Sequence, residues 1–319
     1  MVLETLLPSS VAREKPHYMM LVAFLFAIVG MWLAYFIFPF SASILTLAFI
    51  VIAAEPIIRR TLMQEEDEEA QSPGNPGTFL ERHFDLIKIY SWFFLGLILA
   101  YMTWYIILPG TEPLRCVIGN ICGEFPTRDS VFAEQERQLL GIAQLRDSAG
   151  TGNVVSISGM NVGGSQSGPA GGGDFWGIAQ FLFANNATVL LLAILFSFLF
   201  GEGALFLISW NASIIGTVIG KIAAQSLAMA PVHDIFSIVF AMAYGIYHGI
   251  GFIPHGIPEI VAYYIGAIAG GIISASMSKQ VYRTNEFQTI AKDAAALIGI
   301  AVVLLWGAAM IESYLWLFT

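Results

Sequence analysis

Residues 18–38 read Tyr18-Met19-Met20-Leu21-Val22-Ala23-Phe24-Leu25-Phe26-Ala27-Ile28-Val29-Gly30-Met31-Trp32-Leu33-Ala34-Tyr35-Phe36-Ile37-Phe38, an apolar run with no charged side chain. About twenty such residues in a helix cross the ~30 Å hydrocarbon layer of a bilayer. The run therefore predicts a spanning helix and sets lipid as the medium for the rest of the chain. Arg13 and Lys15 precede it and no small-residue cleavage site comes after it, so it reads as a retained helix rather than a signal peptide. Beyond it, Pro39-Phe40-Ser41 leaves room only for a tight turn into a second run at 41–58.

Composition agrees. The 319 residues are 57% hydrophobic and 12% charged, about half the charge of a soluble domain, and mean hydropathy is +0.73. Further apolar runs lie at 88–108, 186–208, 235–253, 258–277 and 294–316. Residues 211–230 are also apolar but contain Lys221, and a lysine at the bilayer centre costs about 2.5–3.5 kcal/mol on insertion scales. That segment reads as re-entrant or broken. The expected fold is an all-α polytopic membrane helix bundle with seven full spans plus this broken segment; eight full spans is the alternative. The chain then divides into three regions: an N-terminal three-span part, 1–109, with an acidic cytoplasmic loop at 59–87; an extracytoplasmic loop, 110–174; and a membrane core, 175–319. Within the long loop, 130–147 reads as a short amphipathic helix capped by Ser130, and Gly/Ser-rich 148–174 as a flexible linker. Phe175 to Phe183 suits an interfacial helix.

Lys and Arg in short loops set orientation. Arg13, Lys15, Arg59, Arg60, Arg82 and Lys88 fall on one side if the first two spans form a hairpin, which places the N-terminus in the cytoplasm and 110–174 outside. Full crossing by 211–230 would put Lys279, Arg283 and Lys292 outside; a dip and return keeps them inside and favours the broken segment. The net charge of −9 is largely local, since Gln64-Glu65-Glu66-Asp67-Glu68-Glu69 carries five acids, read as a solvated loop or a handle for a basic partner. No basic patch points to nucleic acid. Cys116 and Cys122 share the long loop, without metal spacing, as either a small disulfide ring or two free thiols.

Small residues recur at every fourth position in three stripes: Ala212, Gly216, Gly220, Ala224; Ala241, Gly245, Gly249; and Ala262, Gly266, Gly270, Ser274. In lipid such faces let backbones approach closely, either within the chain or in a homodimer, and they make 186–277 read as one core. The candidate polar core comprises Glu202, Asn211, Lys221, His248, His255 and Glu259. Asn211 reads as the cap of a half-helix, Glu202 as the partner of Lys221, and Glu259 as an acid at a helix start entered through Pro258. His233, Asp234, His248 and His255 keep proton or metal binding open, although no metal site or cofactor is called for. No Walker loop, G-x-S-x-G or H-E-x-x-H is present.

Asn185-Asn186 opening a span, Gly201 and Gly203, Asn211 with Gly216 after it, and Pro254-His255-Gly256-Ile257-Pro258-Glu259 together make residues 175–316 resemble the stage II sporulation protein M family, with the first three spans as an extension. Ala212 departs from the family's usual glycine. The resemblance implies a polytopic membrane protein that is not an enzyme and that works as a scaffold for protein partners or membrane shape. The alternative is a transporter or channel component using residues 202–259 as a polar path. Expected partners are the lipid bilayer and unidentified proteins, or a second copy.

Overall fold

The computed structural model describes residues 9–71, 84–110, 116–118, 121–122, 126–141, 175–200, 204–230, 234–278 and 286–318. Apart from one two-stranded ribbon these are helical, as expected for a chain whose amides and carbonyls must bond to each other in lipid. In chain order the helices are α1 (Ser9–Glu14), α2 (Tyr18–Ile37), α3 (Ala42–Gln71), α4 (Phe84–Ile107), α5 (Arg128–Val131), α6 (133–141), α7 (Phe175–Phe200), α8 (Ala204–Ala228), α9 (Ile235–Gly249), α10 (Ile253–Ser278) and α11 (Glu286–Phe318). Strands β1 (Cys116–Ile118) and β2 (Ile121–Cys122) pair antiparallel between α4 and α5.

Seven stretches are long and apolar enough to cross a membrane: Tyr18–Ile37, Pro39–Thr61, Phe84–Ile107, Phe175–Phe200, Ala204–Ala228, Ile235–Ser274 and Ile290–Leu317. Their number matches the expectation, but the broken element lies elsewhere. Residues 211–230 are not re-entrant. Through Ala228 they belong to α8, which is unbroken from Ala204 and 25 residues long. Asn211 lies inside that helix and caps nothing. The break falls at Ile250–Phe252, a 3-10 turn between α9 and α10. The 15 residues of α9 rise about 22 Å, short of a ~30 Å hydrocarbon layer, so 235–253 is not a full span.

Other boundaries shift too. The expected span at 186–208 begins earlier and ends at Phe200, because Phe175 to Phe183 is the first part of α7 rather than an interfacial helix. The acidic run Glu65–Glu69 continues α3 as helix to Gln71, where a loop was expected. Pro258 sits inside α10, not in its first turn. The expected linker 148–174 lies outside the described residues.

The chain forms two compact units: Met1–Glu136 with Leu205–Ile250, and Arg137–Ala204 with Gly251–Thr319. The stretch 186–277 is therefore divided between them rather than being one core. In the first unit α2 packs on α3 and α4. The link between α2 and α3 is the expected tight turn, with Phe38 N–H bonded to Ala34 O at 2.8 Å and Ser41 N–H to Phe38 O at 3.0 Å. Helix α8 lies on α4 through Gly216 and Gly220, where a Cβ would stand 2.7 Å from Ile98 O and from Tyr105 Cβ respectively. Helix α9 lies on α8, since a Cβ at Gly245 would stand 2.7 Å from Ile219 O. Met102, Ile106, Ile219, Ala223 and Ala241 form the apolar centre of this contact.

In the second unit α7, α10 and α11 pack pairwise. Gly266 and Gly270 face Leu190 and Ile194 of α7, and Ile178, Leu182 and Ala309 close the α7–α11 contact. All three small-residue stripes thus face helices of the same chain. Replacing Gly216 by Ala pushes a Cβ into the α4 backbone and is expected to cost about 1–3 kcal/mol. Gly307→Ala, whose Cβ meets nothing within 4 Å, is expected to leave stability unchanged or slightly raised. Thermal unfolding of the two variants in detergent checks the contrast.

Candidate functional site

A polar side chain inside an apolar bundle is costly unless it bonds. The bonded polar groups of each unit therefore mark where the chain does more than span. In the first unit they gather where residues 126–136 meet α3, α4 and α8.

Helix α4 ends before Pro109, which leaves its last carbonyls without helical donors. Arg128 supplies them: its Nε donates to Tyr105 O at 2.6 Å and its Nη2 to Ile106 O at 3.3 Å. The Arg128 backbone N–H bonds Pro109 O at 2.9 Å, and the guanidinium lies 5.1 Å from the centre of the Tyr105 ring. Thr127, not Ser130, caps the segment, and the two exchange bonds in a capping box. Residues 133–141 form the expected amphipathic helix as far as the described residues reach, and one side of it turns inward. Phe132 and Gln135 are wholly buried, and the Phe132 ring sits edge-on to Tyr101 and Tyr105 at 5.8 and 5.0 Å.

Gln135 is bonded at both ends of its amide. Its Nε2 donates to Ser213 Oγ at 3.1 Å and its Oε1 accepts from Ser43 Oγ at 2.6 Å. One residue on, Glu136 accepts from Lys221 Nζ at 2.6 Å and from the Tyr105 hydroxyl. Lys221 has a partner, but it is Glu136; Glu202 lies outside the described residues. Ser213 and Lys221, which receive Gln135 and Glu136, lie on one stripe of α8 in which Ser209, Ser213, Thr217 and Lys221 recur at every fourth position, the first three wholly buried. Burial alone would raise the Glu136 pKa. The hydrogen bonds from Lys221 and Tyr105 and the charges of Lys221 and Arg128 outweigh it and hold the carboxyl below its ordinary value.

The second unit has its own polar contact. Asn186 Nδ2 donates to Glu259 Oε1 at 2.6 Å, and Asn185 Nδ2 donates to Asn186 Oδ1 at 3.2 Å. Glu259 is thus held by α7 instead of a helix dipole. Glu312 accepts from Trp316 and lies close enough for its charge to act on Glu259. His255 touches Phe252, ring centres 6.2 Å apart, and its Nδ1 has no hydrogen-bond partner among the described residues.

The remaining candidates sit apart. Asn211 Nδ2 donates within its own helix to Leu207 O at 2.8 Å. His248 stacks on Tyr244 at 4.3 Å. Asp234 caps α9 by accepting from Ser237 N–H at 2.8 Å, and His233 lies outside the described residues. Among the described residues no three His, Cys, Asp or Glu side chains gather as a metal site requires. The side chains of Cys116 and Cys122 lie outside the described residues, although their backbones are placed. Sequence reasoning missed Ser43, Tyr105, Arg128, Gln135, Glu136, Ser213 and Asn186 as partners. The spacing of Ser209, Ser213, Thr217 and Lys221 was the available signal.

The family model described as Stage II sporulation protein M covers residues 19–315, reaching through the first three spans as well as the later ones. No curated protein and no solved structure matches the chain significantly.

Lys221 and Glu136 are 39% and 25% exposed, so their pairing is expected to contribute about 1 kcal/mol of coupling in a double-mutant cycle of Lys221→Met and Glu136→Gln. Because the folded Glu136 pKa is lowered, its contribution is complete above the ordinary glutamate value of about 4.3 and is lost as pH falls through the lower folded value. Unfolding of the solubilised chain between neutral and strongly acid pH checks this. Glu136→Gln is expected to remove that part of the acid sensitivity.

Proposed function

Because the chain belongs to the stage II sporulation protein M family, matched over residues 19–315, we propose that it is a non-enzymatic membrane scaffold. In this reading the helices form a fixed platform, residues 126–141 anchor the long loop to it, and 142–174 and the acidic end of α3 are handles for protein partners. One observation carries the reading: two ionisable groups of the apolar helices are bonded to neighbours within their own units, Lys221 to Glu136 and Glu259 to Asn186. Groups that move an ion must exchange partners, whereas groups that hold a platform keep them.

The orientation is part of the proposal. Seven crossings put the two ends of the chain on opposite sides. If each stretch crosses once, Arg13, Lys15, Arg59, Arg60, Arg82, Lys88, Lys279 and Arg283 share one side, which the positive-inside rule makes cytoplasmic. The conflict raised by Lys279 and Arg283 disappears, because the short element is α9. Residues 110–174 and the C-terminal end then face outward.

Reconstituted alone into liposomes, the protein is expected to carry no proton or monovalent-cation flux. Crosslinking in its own membrane is expected to join 142–174 to specific protein neighbours that are lost when the loop is deleted. A flux that His255→Ala or Glu259→Gln abolishes would contradict the scaffold and support a transport path. Membrane-impermeant labelling of Ser148→Cys but not Ser72→Cys in intact cells is expected from the orientation.

A further inference from the structure

We infer that Cys116 and Cys122 are joined by a disulfide that closes the hairpin between α4 and α5. The backbone carries the inference. Strands β1 and β2 run antiparallel, and Cys116 and Cys122 are partners across the ladder, beside an irregularity in its register between Cys116 and Ile118. Partnered Cα atoms in such a ladder lie about 4.5–5.5 Å apart, inside the roughly 4.4–6.8 Å that a disulfide spans. The ladder has only three residues in one strand and two in the other, and an isolated two-stranded hairpin is marginally stable in water. A covalent link between the facing positions supplies what the hydrogen bonds lack.

The setting favours the same pairing. The excursion from α4 is closed at its base, where Arg128 N–H meets Pro109 O at 2.9 Å, so the hairpin folds back within a loop whose two ends are held together. The chain has two cysteines in all, so neither has a competing partner in the same molecule. The inference rests on the outward orientation given under Proposed function, since disulfides persist in oxidising compartments and not in the cytosol. In the reaction the two thiols lose two protons and two electrons as the sulfur–sulfur bond forms. The electrons reduce the disulfide of a thiol–disulfide oxidant to its dithiol, through a mixed disulfide.

The full chain, made in its membrane and denatured with a maleimide-linked polymer present, is expected to show no mass addition without reductant and two additions after reduction. Cys116→Ser and Cys122→Ser are each expected to show one addition without reductant. Two additions to the unreduced wild-type chain overturn the disulfide, and a reductant-sensitive dimer overturns its intramolecular pairing. Ser148→Cys, placed in a Cys116→Ser/Cys122→Ser background and labelled from outside intact cells, separates the premise from the inference. Free wild-type thiols with Ser148→Cys labelled overturn the disulfide alone. Free thiols with Ser148→Cys protected overturn the orientation as well.

Discussion

An ammonium group on the wall of a membrane helix has to be met by an acid, and Lys221 is met by Glu136 at 2.6 Å from a segment that itself spans nothing. The rest of the first unit depends on that contact. To bring Glu136 to α8, residues 126–136 turn back into the bundle, which buries Phe132 and Gln135. Gln135 then bridges Ser43 and Ser213 and ties α3 to α8. The same fold-back lets Arg128 complete the carbonyl end of α4. A buried polar group left half-bonded destabilises a core, whereas a fully bonded one fixes its register. Here the amide of Gln135 is bonded at both ends.

The spanning helices were legible in the sequence because their cause is local. A run of apolar residues long enough for the hydrocarbon layer is a helix there whatever its neighbours, as α2, α4 and α11 are. The stripes of Gly216, Gly220, Gly245, Gly266 and Gly270 were legible for the same reason, and each meets a helix of its own chain. The cost of Lys221 argues for a break in its own segment only in the absence of its partner, which lies 85 residues away in the chain. Once Glu136 offsets that cost, α8 has no reason to break. The Gly249 to Pro254 stretch, rich in helix breakers, does the breaking. The amphipathic helix within 130–147 is legible from its periodicity, but periodicity does not say what its buried side meets. Gln135 points its amide at α3 and α8. Asn186 was noticed only as part of a pattern, and its role as the Glu259 partner needed the packing of α7 against α10.

Family membership over 19–315 changes how the front of the chain is understood. The first three spans are within the matched region, and α4 supplies the surface on which Gly216 and Gly220 of α8 rest. The two compact units likewise cut across the sequence, with Leu205–Ile250 grouped with the N-terminal helices. Within each unit a buried or half-buried charge finds a partner of the same unit, Glu136 for Lys221 and Asn186 for Glu259. That arrangement underlies the proposed scaffold role.

The central claim is that residues 126–136 are part of the first unit's bundle. It is tested most directly by Gln135→Cys with Ser213→Cys, in a chain whose native cysteines are serine. The two native side chains are hydrogen-bonded at 3.1 Å and wholly buried. The account predicts that mild oxidation in the membrane joins the two engineered cysteines almost completely and that neither reacts with an impermeant maleimide beforehand. Rapid maleimide labelling at position 135, with no crosslink formed, would contradict it.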